Sequence, residues 1–235
     1  MKPFFTFFGG KWRIAKHYPK PGAHIVEPFA GSAGYSVRYH EAKVTLYEID
    51  PKIFGVWDYL IKAGAEEIRR LPLAVENVDS LNVVQEAKWL IGFWLNKASV
   101  QPCKIPSRWM RDGNRPNSFW GEAIRERLSS QVDKIKHWKV FNRTYSEAVN
   151  EEATWFIDPP YEVRGHIYKF NRIDYEHLAE YAKSRRGQVI VCEAGVAGWL
   201  PFSFFRNIKT VEGSRGKAKG IEVVWTKGFE KETTL

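Results

Sequence analysis

Short apolar runs alternate with helical spacing along much of this chain. Residues 24–30 (His24-Ile25-Val26-Glu27-Pro28-Phe29-Ala30) read as a strand ending in a turn. Gly31-Ser32-Ala33-Gly34 follows, and residues 35–40 suit a short helix. Residues 43–49 read as a second strand. Asp50-Pro51 then opens a helix that runs to about Lys62, with Asp50 as N-cap and Pro51 at the first helical position, where its missing N–H is not needed. This strand–helix–strand–helix order predicts a parallel sheet.

The middle of the chain follows another pattern. Residues 64–100 carry helical spacing, with Trp89, Leu90, Phe93 and Trp94 on the core-facing side. Residues 101–121 are rich in Pro, Asn, Gly, Arg and Trp and suit an ordered loop or hairpin; residues 122–136 read as a highly charged helix. The strand pattern resumes at 139–141 and 154–157. A helix follows at 175–184, then a strand at 188–192 and two last strands at 204–211 and 221–226 around a basic loop, 213–220. No internal repeat or low-complexity segment stands out. The chain reads as an α/β sheet domain built from 1–62 and 138–235, interrupted by a helical, basic insertion at 63–137.

Composition narrows the class. A chain of 235 residues with 44% hydrophobic content holds one sizeable domain with a real core. No apolar run approaches the ~18 residues of a membrane span, so no membrane partner is expected. The start, Met1-Lys2-Pro3-Phe4-Phe5, turns polar too soon for a signal peptide. With only Cys103 and Cys192, this points to a cytoplasmic, nucleoid-associated chain with reduced thiols. The six histidines are scattered and no Cys/His set has zinc spacing, so no metal is expected. A formal charge of +9 directs attention to a polyanionic partner, nucleic acid first. Arg108-Trp109-Met110-Arg111 sets an aromatic ring among cations, a combination that serves base stacking and phosphate contact together. A monomer is expected.

Four short segments carry candidate chemistry. Asp158-Pro159-Pro160-Tyr161 closes the apolar run 154–157. An acid and a carbonyl can accept the hydrogens of an exocyclic amine, a tyrosine ring can stack on the base, and two prolines stiffen the turn that aims them. Glu27 to Gly34 is a glycine-rich strand end that lets a ligand approach backbone N–H groups. It is neither G-x-G-x-x-G nor a Walker loop, so hydride transfer and NTP hydrolysis lose support. Glu48 and Asp50 end the second strand, where an acid can bind a nucleoside ribose. Phe8-Gly9-Gly10-Lys11 lets an ammonium reach a carboxylate held close to backbone.

In this order the four segments resemble the Dam-type adenine-N6 DNA methyltransferases, with the motif order of the alpha group. The likeness spans nearly the whole chain. It implies a Rossmann-like α/β fold, S-adenosylmethionine as cofactor, and double-stranded DNA as partner. It implies cofactor contacts from Phe8, Gly9, Gly10, Lys11, Glu27, Pro28, Phe29, Ala30, Gly31, Ser32, Glu48, Ile49, Asp50, Tyr145 and Asp158. Lys11 would meet the methionine carboxylate, Glu48 the ribose, and Ile49 and Tyr145 the adenine. Asp158, Pro159, Pro160 and Tyr161 would be the catalytic motif, acting on an adenine flipped out of the stack. The helix from Asp174 to Glu180 and the strand Glu222-Val223-Val224-Trp225 resemble the family's following elements.

Two places depart from the family pattern. Glu193 stands where the family often has Ser-Asn. The insertion begins like the family's with Leu95-Asn96-Lys97, and then 108–115 only loosely matches its recognition hairpin. Arg108, Arg111 and Arg115 are candidates for reading bases, because arginine can grip guanine through two bonds. Arg215, Lys217 and Lys219 are candidates for phosphate contact. Three other readings compete: an RNA adenine-N6 methyltransferase, a cytosine-N4 methyltransferase, and a nucleic-acid-binding module without catalysis.

Overall fold

The computed structural model describes residues 1–97, 99–113, 117–163, 165–211 and 217–229. Its centre is a seven-stranded sheet. In chain order the strands are β1 (His24–Glu27), β2 (Lys43–Tyr47), β3 (Lys139–Phe141), β4 (Ala153–Ile157), β5 (Gly187–Ala194), β6 (Ser203–Val211) and β7 (Lys217–Lys227). The helices are α1 (Gly34–Arg38), α2 (Pro51–Lys62), α3 (Ala65–Arg69), α4 (Gln85–Trp94), α5 (Arg108–Arg111), α6 (Glu122–Val132) and α7 (Tyr175–Ser184). The spatial order is β3-β2-β1-β4-β5-β7-β6. β1 to β5 pair in parallel, whereas β7 runs antiparallel to both β5 and β6, so the sheet is mixed. This is a Rossmann-like α/β fold.

Both faces of the sheet are covered, which is why its inner strands are buried and mostly apolar on both sides. Successive residues of one strand enter opposite cores. Ile25 and Phe156 join Val44, Leu46 and Trp57 in the larger core, while Val26, Trp155 and Ile157 join Leu178 and Ala182 of α7 on the other face. Gly55 lets Trp89 of α4 lie directly on α2, since a Cβ there would come 2.7 Å from the indole ring.

The middle of the chain is less helical than its spacing suggests. α3 ends at Arg69, just before Leu71-Pro72, because a residue preceding proline is driven out of helical conformation. Asn77 then folds its side chain onto the Asp79 N–H at 2.9 Å, competing with helix formation until α4 starts at Gln85. Residues 70–84 are therefore not part of a long helix. Among the described residues of 101–121 there is no strand and so no hairpin; a single helical turn, α5, forms there, capped by Ser107. Of the basic loop expected at 213–220, Lys217 to Gly220 belong to β7 instead, and residues 212–216 lie outside the described residues.

The topology selects one place for a ligand. From β1 the chain moves outward through β2 to β3, then returns to lay β4 on the other side of β1. Loops after β1 and β4 diverge at this reversal and leave a crevice at the strands' C-terminal ends.

Candidate active site

The crevice opens into a cavity of about 1480 Å³. Its walls include Phe8 to Lys11, Glu27 to Ser32, Glu48 to Asp50, Tyr145, and Asp158 to Tyr161, so every catalytic and cofactor candidate lies on one surface. Arg108 and Arg111 lie elsewhere, on α5. Arg108 is 86% exposed and 3.5 Å from Asp112, and Arg111 donates to the Pro106 carbonyl. Arg115 and Arg215 fall outside the described residues.

One wall is the glycine turn after β1, clamped from several sides. Gly31 N–H donates to Glu48 Oε2 at 2.9 Å, the Gly31 carbonyl accepts from the Trp57 indole at 2.8 Å, and Ala30 N–H reaches the Tyr47 carbonyl. Gly31 has φ +45°, a left-handed conformation that glycine adopts without strain. Glu48 Oε1 also accepts from Asp50 N–H at 2.9 Å. Burial pushes the Glu48 carboxyl up to about 7, against the pull of those N–H groups. Each oxygen keeps a second lone pair for a ligand hydroxyl. Replacing Glu48 by Ala strands two backbone donors at a cost of about 1–3 kcal/mol. Urea denaturation is expected to show that loss, and calorimetry the accompanying loss of nucleoside binding.

Glu27 has a different local task. Its Oε1 accepts from Ser36 N–H in the first turn of α1 at 2.7 Å, and burial pushes its carboxyl up to about 8. Asp50 caps α2 through Lys52 N–H at 2.9 Å. Its other oxygen accepts from Gln101 at 2.5 Å, which ties the segment after α4 to the cavity wall. Beyond them, Phe29 stacks on Tyr145 with centroids 5.1 Å apart, and the Tyr145 hydroxyl meets His177 Nδ1 at 2.7 Å. Ile49 presents an apolar side chain that is 41% exposed.

The opposite wall is ionic. Lys11 sits on a 3₁₀ turn, Lys11–Arg13, pressed against the start of α1 at Gly34. A Cβ on Gly34 would meet the backbone of Trp12 and Lys11, so glycine there permits the close approach. Lys11 is only 7% exposed, and its Nζ lies 2.9 Å from Asp158 Oδ2 and 2.7 Å from Oδ1. The Oδ1 contact is close but off hydrogen-bonding geometry, so Oδ1 is a buried acceptor without a directed donor. Glu222 of β7, 1% exposed, is 3.7 Å from the same ammonium. Its Oε1 accepts from the hydroxyls of Tyr18 at 2.9 Å and Tyr161 at 2.7 Å. Burial pushes the Asp158 carboxyl up and the Lys11 ammonium opposes this; burial likewise works against the charge on Lys11, but Asp158 and Glu222 together outweigh it and hold Lys11 well above the ordinary lysine range.

The turn after β4 is braced from behind. Tyr175 of α7 donates to the Pro160 carbonyl at 2.8 Å. The Pro159 carbonyl accepts no hydrogen bond among the described residues. Glu193, for which the sequence offered no role, is fully buried. It accepts from Glu162 N–H at 3.1 Å, Ala194 N–H at 2.7 Å and the Trp199 indole at 3.1 Å. It therefore pins the segment that leaves Tyr161 to the end of β5. Glu222 escaped notice in the sequence as anything beyond part of a strand. Its one signal is a lone acid in phase with Val224, which the structure buries.

No family model and no curated protein matches the chain. Among solved structures, the chain is similar to a conserved hypothetical protein of Streptococcus pyogenes, with TM-score 0.39 and 10% identity over 90% of each chain. It is also similar to a proposed methyltransferase of Escherichia coli, with TM-score 0.38 and 11% identity over 88% of this chain and 77% of that one. A proposed methylase of Haemophilus influenzae is similar with TM-score 0.34 and 9% identity, over 88% of this chain and 80% of that one.

Proposed function

We propose that this protein is an S-adenosylmethionine-dependent DNA adenine-N6 methyltransferase. One observation carries the reading. A single cavity holds both an acceptor pair for an exocyclic amine, Asp158 and the Pro159 carbonyl, and a glycine-and-carboxylate cradle for a nucleoside, Gly31 with Glu48. Its volume exceeds the ~300–1,000 Å³ of a pocket for one small molecule, leaving space for a cofactor and a base together.

The residues present fit the cofactor. Glu48 keeps acceptor capacity for ribose hydroxyls, Ile49 with the Phe29–Tyr145 stack offers apolar surface for a purine, and Lys11 offers an ammonium beside the glycines. When bound, S-adenosylmethionine supplies an electrophilic methyl group.

The protein's own contribution is placement and electrostatics. The Asp158 carboxylate and the Pro159 carbonyl accept hydrogen bonds from the two N6 hydrogens, which draws the nitrogen lone pair out of ring conjugation. Lys11 favours the ionised, accepting form of Asp158 although the site is buried. Tyr161 offers a ring face to the base, its plane fixed by the hydroxyl bond to Glu222. Pro159 and Pro160, with Tyr175 behind them, resist displacement of the turn.

Nucleic acid is the partner that the charge favours. Arg143, Lys169 and Arg172 line the mouth of the cavity and suit phosphates, while α5 exposes Arg108 and Trp109 away from it. The inserted helices between β2 and β3 would then carry target recognition. Tritium transfer from labelled S-adenosylmethionine to duplex DNA, single-stranded DNA and structured RNA tests the assignment. Incorporation into N6 of adenine in duplex DNA is expected; label only in RNA, or only in cytosine, overturns it.

A further inference from the structure

We propose that Glu222 is a positioning residue for Asp158: it gives Lys11 a second carboxylate, so that Lys11 releases Asp158 to an incoming amine without becoming an unpaired buried cation. This rests on the reading above, in which Asp158 accepts the hydrogens of that amine.

The geometry describes a shared cation. Lys11 is bonded to Asp158, yet Glu222 waits 3.7 Å from the same nitrogen, within ion-pair range and beyond hydrogen-bond length. A shift of Nζ by about 0.8 Å closes that gap to the ~2.9 Å of a charge-assisted bond. Glu222 cannot drift to meet it, because the hydroxyls of Tyr18 and Tyr161 both bond to its Oε1. The movable partner is thus the lysine, and the fixed one is Glu222. The same hydroxyl bond ties the ring of Tyr161 to the carboxylate that would receive Lys11, so the exchange leaves the stacking surface where it is.

Charge favours the arrangement. Lys11 faces Asp158 after β4, Glu222 on β7, Cys192 on β5, Glu27 on β1, Tyr168 and the ring of Tyr161 4.9 Å away, while the hydroxyls of Tyr18 and Tyr161 meet Glu222. Burial keeps the thiol of Cys192 and these phenols protonated. The ammonium is therefore balanced by carboxylates alone. When Asp158 turns to the substrate amine, Glu222 remains as an ion-pair partner for Lys11; without Glu222 the ammonium keeps only the Gly9 carbonyl and the Tyr161 ring as alternative partners, and neither carries a balancing charge.

Selective isotopic labelling of lysine lets NMR follow the protonation of the Lys11 amine in the full-length protein. In Asp158→Asn, Lys11 is expected to stay protonated up to or above the ~10.4 of free lysine, because Glu222 still faces it. In Asp158→Asn with Glu222→Gln it is expected to titrate at least about one unit lower, a tenfold change in its proton affinity. Loss of the Lys11 proton near neutrality in Asp158→Asn alone, or identical titrations in the two variants, overturns the proposal. The single variant decides the point even if the double variant does not fold.

Turnover supplies the second readout. Glu222→Gln keeps an acceptor for both tyrosines and is expected to lower kcat for methyl transfer about tenfold or more, with cofactor affinity unchanged. An unchanged kcat overturns the proposal. A wild-type protein that methylates no adenine overturns the reading of the site instead, and the Lys11 titration then still decides whether Glu222 holds this lysine.

Discussion

Asp158→Asn is expected to abolish methyl transfer while leaving the protein folded. The substitution keeps the shape of the side chain but removes its charge and replaces one acceptor oxygen with an N–H donor. Aimed at an exocyclic amine, that donor repels where the carboxylate attracts. Loss of one preorganised polar group in a dry active site typically costs about 10²–10³-fold in rate. Here the loss should reach the upper end of that range, because Asp158 is one of only two acceptors proposed for the amine. The fold should survive because Lys11 keeps Glu222 nearby and its carbonyl contact to Gly9 at 3.1 Å. Single-turnover assays with saturating cofactor read the rate, and urea denaturation reads the stability. Turnover within tenfold of wild type would remove Asp158 from the chemistry and, with it, the amine-acceptor reading of the turn.

What the sequence made legible is local. α2 and α7 start where the sequence predicts, because Asp50 and Asp174 each accept from a backbone N–H in the first turn of the helix they open. The strand ends that carry Gly31, Glu48 and Asp158 were legible for a related reason. Each is an apolar run followed by residues that a buried strand would not contain. Residues 70–84 failed because helical spacing of apolar residues was weighed above Pro72 and Asn77, whose backbone effects are stronger than a pattern. The expected loop at 213–220 failed in the other direction. Glycines and lysines marked a turn, yet pairing with β6 extends β7 back to Lys217.

The electrostatics of the site were not legible at all. Lys11 and Asp158 are separated by 147 positions, and Tyr18 and Glu222 by 204. Each residue type signals a capacity, to donate or accept, but pairing is decided by how the sheet is wound. The resemblance implied a cofactor carboxylate for Lys11. The fold adds two carboxylates of the protein itself, Asp158 and Glu222, which makes the lysine also the counter-ion that lets two acids share a buried wall.

Lys11→Met should therefore be a stability variant as much as a binding variant. Methionine fills the volume of the lysine stem, so little packing is lost, but Asp158 and Glu222 are left facing each other with no cation. Removing one partner of a buried ion pair costs about 3–5 kcal/mol. The lower end is expected, because 21% of the Asp158 side chain remains open to the cavity. The loss should depend on pH in a definite sense. Burial already raises the Asp158 carboxyl above its ordinary range, and removing Lys11 removes the main opposing influence. A carboxyl whose folded value lies above its unfolded value binds its proton more tightly in the folded state. Its contribution is then fully present below the unfolded value of ~3.9 and is lost as pH rises through the folded value. The gap between Lys11→Met and wild type should accordingly be small in mild acid and widen toward neutral and alkaline pH. Urea denaturation of both proteins across that range measures it. A gap that is constant with pH would mean that Lys11 contributes packing alone, and that neither acid depends on it for its charge.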